Sequence, residues 1–148
     1  MSVNQAQAFD ELASSWVSLA LEYSDGAVGL SKIFVYAGSE EGSRYANVFF
    51  EQSGSVIYAN ELQGVDVGDD RVFAMKRHLH DHLGDAEARL DECSAPRPTQ
   101  YRLVYDNVLC QVDLQLSYES VYSRHETKVM EEGAEDWLDG LLEKKIGR

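Results

Sequence analysis

Three short runs of β-branched and aromatic residues follow one another between Ser31 and Asn60, joined by links too short for any element to intervene. They are Lys32-Ile33-Phe34-Val35-Tyr36-Ala37, Tyr45-Ala46-Asn47-Val48-Phe49-Phe50 and Ser55-Val56-Ile57-Tyr58-Ala59, compositions suited to a pleated surface. A parallel crossover needs a dozen or more residues, so these strands must be antiparallel neighbours. Gly38 to Ser43 reads as a polar loop and Ser53-Gly54 as a tight hairpin link.

Alternation within the runs divides them into two faces. Ile33, Val35, Ala46, Val48, Phe50, Ile57 and Ala59 are expected to face helices. Phe34, Tyr36, Tyr45, Phe49 and Tyr58 share the other face with Asn47 and Glu51, as an aromatic patch either offered to a partner or covered by the C-terminal helix.

The segments around this meander carry helical periodicity. From Asn4 to Tyr23 the apolar positions Phe9, Leu12, Ala13, Trp16, Val17, Ala20 and Leu21 define an amphipathic helix, with Asn4 as the expected cap. A second helix is predicted from about Arg71 to Cys93, with Val72, Met75, Leu79, Leu83, Ala86, Leu90 and Cys93 on one stripe and Asp69 or Asp70 capping its start. Pro96 and Pro98 end it. Two strands follow, Tyr101 to Tyr105 and Val108 to Tyr118, joined by a tight Asp106-Asn107 turn, with Val108, Cys110, Val112, Leu114, Leu116 and Tyr118 expected on the packed face. A third helix is predicted from about Thr127 to Ile146, burying Met130, Ala134, Trp137, Leu138 and Leu141 and exposing Glu132, Asp136, Asp139 and Glu143.

The order αβββαββα describes an α+β domain with helices packed on an antiparallel sheet. At 148 residues one domain suffices, large enough to bury about two thirds of its unfolded surface, with 125–148 as a C-terminal helical extension. Trp16, Leu79, Leu83, Val112 and Leu114 are its expected core.

Charge narrows the function classes. Twenty-six acidic residues against 13 basic give a net charge of −13, which opposes nucleic acid and anionic membranes and favours a basic protein partner. The N-terminus has no basic segment followed by an apolar core, so a cytoplasmic location is expected. Cys93 and Cys110 lack redox or zinc spacing and are expected as small buried side chains.

No catalytic constellation is legible. His78 and His82 are four apart, but Leu79 stands where a metalloprotease helix has its glutamate, so both histidines are expected to border the apolar stripe half exposed. The loop acids Glu61, Asp66, Asp69 and Asp70 lack the ligand alternation and closing glutamate of a calcium loop. No serine lies in a nucleophile elbow, neither cysteine has an activating neighbour, and Gly26-Ala27-Val28-Gly29 lacks the lysine of a phosphate loop. The expectation is therefore a non-enzymatic protein without catalytic residues, metal or cofactor.

The helix around Trp16, the Phe34-Val35-Tyr36 strand, Val48-Phe49-Phe50, the long acidic helix and the hairpin closing at Leu116-Ser117-Tyr118-Glu119 resemble the YezG-type bacterial immunity proteins over roughly Phe9 to Glu119. That resemblance implies an acidic antitoxin that neutralises a cognate secreted toxin, such as a basic nuclease domain, by occluding its active site. The toxin-binding residues are expected to be Asp66, Asp69, Asp70, Asp81 and Asp85, because the loop leads into the second helix and Asp81 and Asp85 lie one turn apart on its solvent side. The stripe Glu132, Asp136, Asp139 and Glu143 is the competing surface. Type III secretion chaperones are similar in size, acidity and element order; as a chaperone the chain would hold an effector segment in apolar grooves. The oligomeric state is open at this level.

Overall fold

The computed structural model describes residues 2–120 and 130–142. Helix α1 spans Val3–Tyr23, β1 Leu30–Glu40, β2 Ser43–Gln52 and β3 Ser55–Tyr58; after one 3-10 turn at Ala59–Glu61 come α2 at Asp69–Glu92, β4 at Gln100–Asp106, β5 at Gln111–Ser117 and α3 at Met130–Trp137. The α+β class and the αβββαββα order are as expected. Five antiparallel strands form one sheet in the order β3-β2-β1-β4-β5.

The meander is longer than its apolar runs. Gly38, Ser39 and Glu40, expected in a loop, continue β1 because they pair with Tyr45, Arg44 and Ser43. Only Glu41 and Gly42 turn, both with positive φ (48° and 82°), the backbone of a two-residue hairpin. Ser53 and Gly54 repeat that conformation between β2 and β3.

Both faces of the meander are covered. Ile33, Val35, Ala37, Ala46, Val48 and Phe50 pack under α1 and α2 together with Phe9, Leu12, Trp16, Leu79, Leu83 and Leu90. Phe34, Tyr36, Phe49 and Val56 form a second cluster with Ala134, Leu138 and Leu142, flanked by Trp137. The aromatic patch is thus roofed by α3, with the Trp137 ring edge-on to Phe34 at 5.9 Å.

Helix ends differ from the expected caps. Ser2, not Asn4, caps α1, its hydroxyl accepting from the Gln5 amide at 3.1 Å. Gly68 occupies the cap position of α2 without a side-chain bond, so Asp69 and Asp70 serve the helix as first-turn charges at the positive end of its dipole. Of the predicted third helix, the parts at 127–129 and 143–146 lie outside the described residues, as does Glu143. Gly140, in the left-handed region (φ 83°), terminates the described part, which swings Leu141 out to 59% exposure and buries Leu142 in its place. Glu132 is only half exposed.

The β4–β5 hairpin brings the largest correction. Its connection is a four-residue loop over 107–110, stabilised by Asp106 Oδ1 accepting from the Val108 and Leu109 amides. Val108 is therefore loop and exposed, not part of a strand. Val112, expected in the core, is 52% exposed, and Leu114 is half-buried. The reason is position: β5 is the sheet edge, whereas α1 and α2 lie over β1 and β2. The cysteines also depart from expectation. Cys93 is half-buried at the end of α2 and Cys110 exposed in the hairpin loop with φ 54°, both as free thiols.

Candidate docking face on the second helix

Helix α2 is held on its inner side by contacts that fix its rotation. The Trp16 indole Nε1 donates to the Leu79 carbonyl at 3.1 Å, and the same ring meets Tyr101 edge-on. At the N-terminal end, Arg71 donates to the Tyr23 carbonyl at 2.8 Å and to the Asp66 carbonyl at 2.6 Å while its guanidinium lies 4.3 Å over the Tyr23 ring. Further along, Glu87 accepts from Arg44 Nε and from the Ser39 hydroxyl, at 2.5 and 2.7 Å, inside the protein. With the inner side anchored, the outer side is rigidly presented.

Asp70, Asp81 and Asp85 occupy that outer side, all exposed. At about 100° of rotation per residue they fall within about 60° of arc, along about 22 Å of helix. Glu92 lies on the same arc, and Arg77 is the exposed cation that interrupts it. Among the described residues no salt bridge or side-chain hydrogen bond engages Asp70, Asp81 or Asp85. Asp66 is exposed just before the helix, where its Oδ1 accepts from the Gly68 amide at 2.9 Å. Asp69 is the outlier of the expected five, because one residue of rotation turns it toward a groove of about 360 Å³ lined by Asn47, Tyr58, Val72, Phe73 and Lys76. Lys76 is exposed overall, and partial desolvation beside the groove lowers its amine from the ordinary range.

Several arginines on this side of the protein are occupied within the fold. Arg44 and Arg97 approach Glu87, Arg97 also grips Asp91 with two nitrogens, and Arg89 pairs with Glu11 across α1 and α2. With these cations paired internally, Arg77 is left as the cation that offsets part of the field of the outer aspartates.

The two histidines border a groove of about 490 Å³ between α1 and α2, together with Ser14, Ser15, Ser18 and Glu22. His82 is half-buried and His78 exposed. Burial and the neighbouring His78 hold His82 below its ordinary value, against the opposing pull of Asp85 and Asp81. Among the described residues no group of three or more histidine, cysteine or acidic side chains is placed to hold a metal ion. No described helix is long and apolar enough to cross a membrane.

Two residues of this region escaped the sequence reading. Phe73, 67% exposed beside Asp69, breaks the apolar stripe of α2, and that break was a legible signal. Glu87 is fully buried; its partners Ser39 and Arg44 lie more than 40 positions away, so no local pattern marks it. No protein-family model matches the chain, and no curated protein matches it.

Proposed function

We propose that this protein is an immunity-type inhibitor whose acidic α2 face docks a basic toxin domain, such as a nuclease, and occludes its active site without chemistry of its own. The observation that carries the proposal is the exposed, unengaged row Asp70, Asp81 and Asp85, with Asp66 at its head, on a helix whose inner side is fixed. Carboxylates spaced along a rigid rod present a negative surface to a cleft built for a phosphate backbone, and such a field accelerates encounter. Phe73 beside Asp69 adds an apolar contact of the kind that anchors interfaces. The likeness to YezG-type immunity proteins gives the reading its biological frame. The secretion-chaperone alternative needs an open apolar groove, and the aromatic face of the meander that would supply one lies under α3.

The test pairs this protein with the product of the gene adjacent to its own, where the proposal expects a toxin domain to be encoded. Wild-type protein is expected to block its activity and protect cells that express it. Changing Asp66, Asp70, Asp81 and Asp85 to lysine should preserve the circular dichroism spectrum, slow association and weaken its salt dependence. Wild-type association by that variant, with protection lost instead on reversing Glu132, Asp136 and Asp139, moves the site to α3. Failure of the wild-type protein to inhibit at all defeats the functional reading.

A further inference from the structure

The groove of about 360 Å³ beside Phe73 opens where β3 stops, between the 3-10 turn that follows it and the first turns of α2. Its size is at the low end of pockets that take a small organic group, which gives room for one side chain of a partner but not for a strand or a helix. Two of its walls are fixed by bonds within the fold. The Tyr58 hydroxyl donates to Glu135 and its ring stands edge-on to Phe49 at 5.2 Å, while Asn47 donates to the Tyr45 hydroxyl and accepts from the Val48 amide, at 3.0 and 2.8 Å. The remaining wall is a face of α2 on which Asp69, Phe73 and Lys76 follow one another at spacings of four and three. Acid, ring and amine therefore stand in a row about 10 Å long. Asp69 and Lys76 are exposed, and among the described residues no ion pair or side-chain hydrogen bond engages either; Phe73 is 67% exposed.

We infer that this groove takes an arginine side chain of the basic partner, with the guanidinium paired to Asp69 and lying flat on Phe73. The inference rests on the functional reading above, and it gives Asp69, which stands off the outer arc, a place in the docking face. Charge selects a cation and its position. Asp66 and Asp70 flank Asp69 at one end of the groove, whereas Lys76 lines the other end and repels a second cation. A main-chain carbonyl, present in any segment of the partner, satisfies Lys76. The ring selects the guanidinium: a planar, weakly hydrated cation stacks on an aromatic face while two of its nitrogens bond one carboxylate, and a lysine ammonium cannot do both. The same chemistry occurs within α2, where the Arg71 guanidinium lies 4.3 Å over the Tyr23 ring and donates to two carbonyls. With two walls already fixed, little freedom of the groove is lost when it fills. Phe73 lies about 60° around the helix from Asp70, so an arginine anchored here sits beside the outer aspartates that steer its approach.

Amide chemical shifts of the full chain, titrated with N-acetyl-arginine methylamide, provide the test. Saturable shifts are expected at Asn60, Asp69, Phe73 and Lys76, weaker with the lysine analogue and absent with the citrulline analogue, which keeps the shape of arginine and loses its charge. Asp69→Asn and Phe73→Ala, both at exposed positions, should remove the response and leave the circular dichroism spectrum unchanged. No response at the groove overturns the inference, as does an equal response to citrulline or one limited to the arc of Asp70, Asp81 and Asp85. A stronger response to the glutamate analogue also overturns it, assigning the groove to an acidic group held by Lys76. Against a partner that the wild-type protein inhibits, Phe73→Ala should raise the dissociation rate by roughly thirtyfold with little change in association, whereas reversal of the outer aspartates acts on association. An unchanged dissociation rate overturns the inference and leaves the functional reading standing. Failure of the wild-type protein to inhibit defeats that reading, and the arginine analogue then decides the groove by itself.

Discussion

Arg44 on β2 places its guanidinium Nε 2.5 Å from the Glu87 carboxylate, and the two are not equivalent partners: Glu87 is fully buried, whereas the Arg44 side chain keeps 29% of its surface in solvent. The bond ties the second half of α2 to the start of β2, and the Ser39 hydroxyl closes it from β1. Fixing the rotation of the helix there also fixes the direction of Asp81 and Asp85.

The asymmetry predicts unequal mutant costs. Arg44→Ala strands a carboxylate in the interior, with Ser39 and a more distant Arg97 left beside it, and should destabilise by about 3 to 5 kcal/mol. Glu87→Leu frees Arg44 to turn into water and should cost less. Urea titrations of the two variants check the order; equal losses would show that Glu87 is not confined as described.

Leu83 has no exposed surface, so Leu83→Ala should cost about 2 to 5 kcal/mol. Val112→Ala, at the exposed sheet edge, should change monomer stability by less than about 0.5 kcal/mol. The difference between their denaturation midpoints measures how far the core extends toward β5.

Gly29 and Gly140 share a left-handed backbone but not their surroundings. A Cβ at Gly140 meets nothing within 4 Å, so Gly140→Ala should lose only the conformational term, roughly 1 to 2 kcal/mol. At Gly29 the same Cβ falls 2.8 Å from the Ser53 hydroxyl, at the base of the β2–β3 turn. Gly29→Ala should therefore be the more damaging change, measured by thermal melting.

Acidification should weaken the fold through His82. Its folded pKa lies below the ordinary value, so the unfolded chain binds more protons in the window between them and stability falls as pH drops. The contribution is complete above about pH 6.5 and is lost as pH descends through the folded value. His82→Gln should flatten that part of the stability profile. An unchanged slope would assign the acid sensitivity to other groups.

Tyr101 is buried between β1, β5 and the Trp16 ring, with its hydroxyl unpartnered among the described residues. Burial first, then the nearby Glu87, pushes its ionisation far above the ordinary range. Tyr101→Phe removes a desolvated polar atom while keeping the ring and should leave stability unchanged or raise it by up to about 1 kcal/mol. Calorimetry that shows a clear loss would identify a hydrogen bond at that hydroxyl.

The meander was legible because its information is local. Alternation from Ile33 to Phe50 assigns faces, and the shortness of the links imposes antiparallel pairing before any tertiary contact is known. The α1 and α2 stripes follow from helical spacing in the same way, including Leu79 and Leu83 as core and Asp81 and Asp85 as surface. Asp69 is exposed like the other four, but one residue of rotation turns it to the Phe73 groove rather than to the outer arc, a direction that spacing alone did not give.

What the chain itself determined, then, was the class of fold, the two faces of its first three strands, and the sign of its field, since each depends on spacing or on summed charge. Only the tertiary structure decided that Val112, with the same alternation as a core strand, stands half exposed: alternation names a face, but burial of that face requires a second layer, and β5 lies at the sheet edge away from the strands that α1 and α2 cover. The tertiary structure likewise set Glu87 against Arg44, because a contact between residues 43 positions apart is made by the packing of a helix on a sheet and leaves no trace in either segment alone.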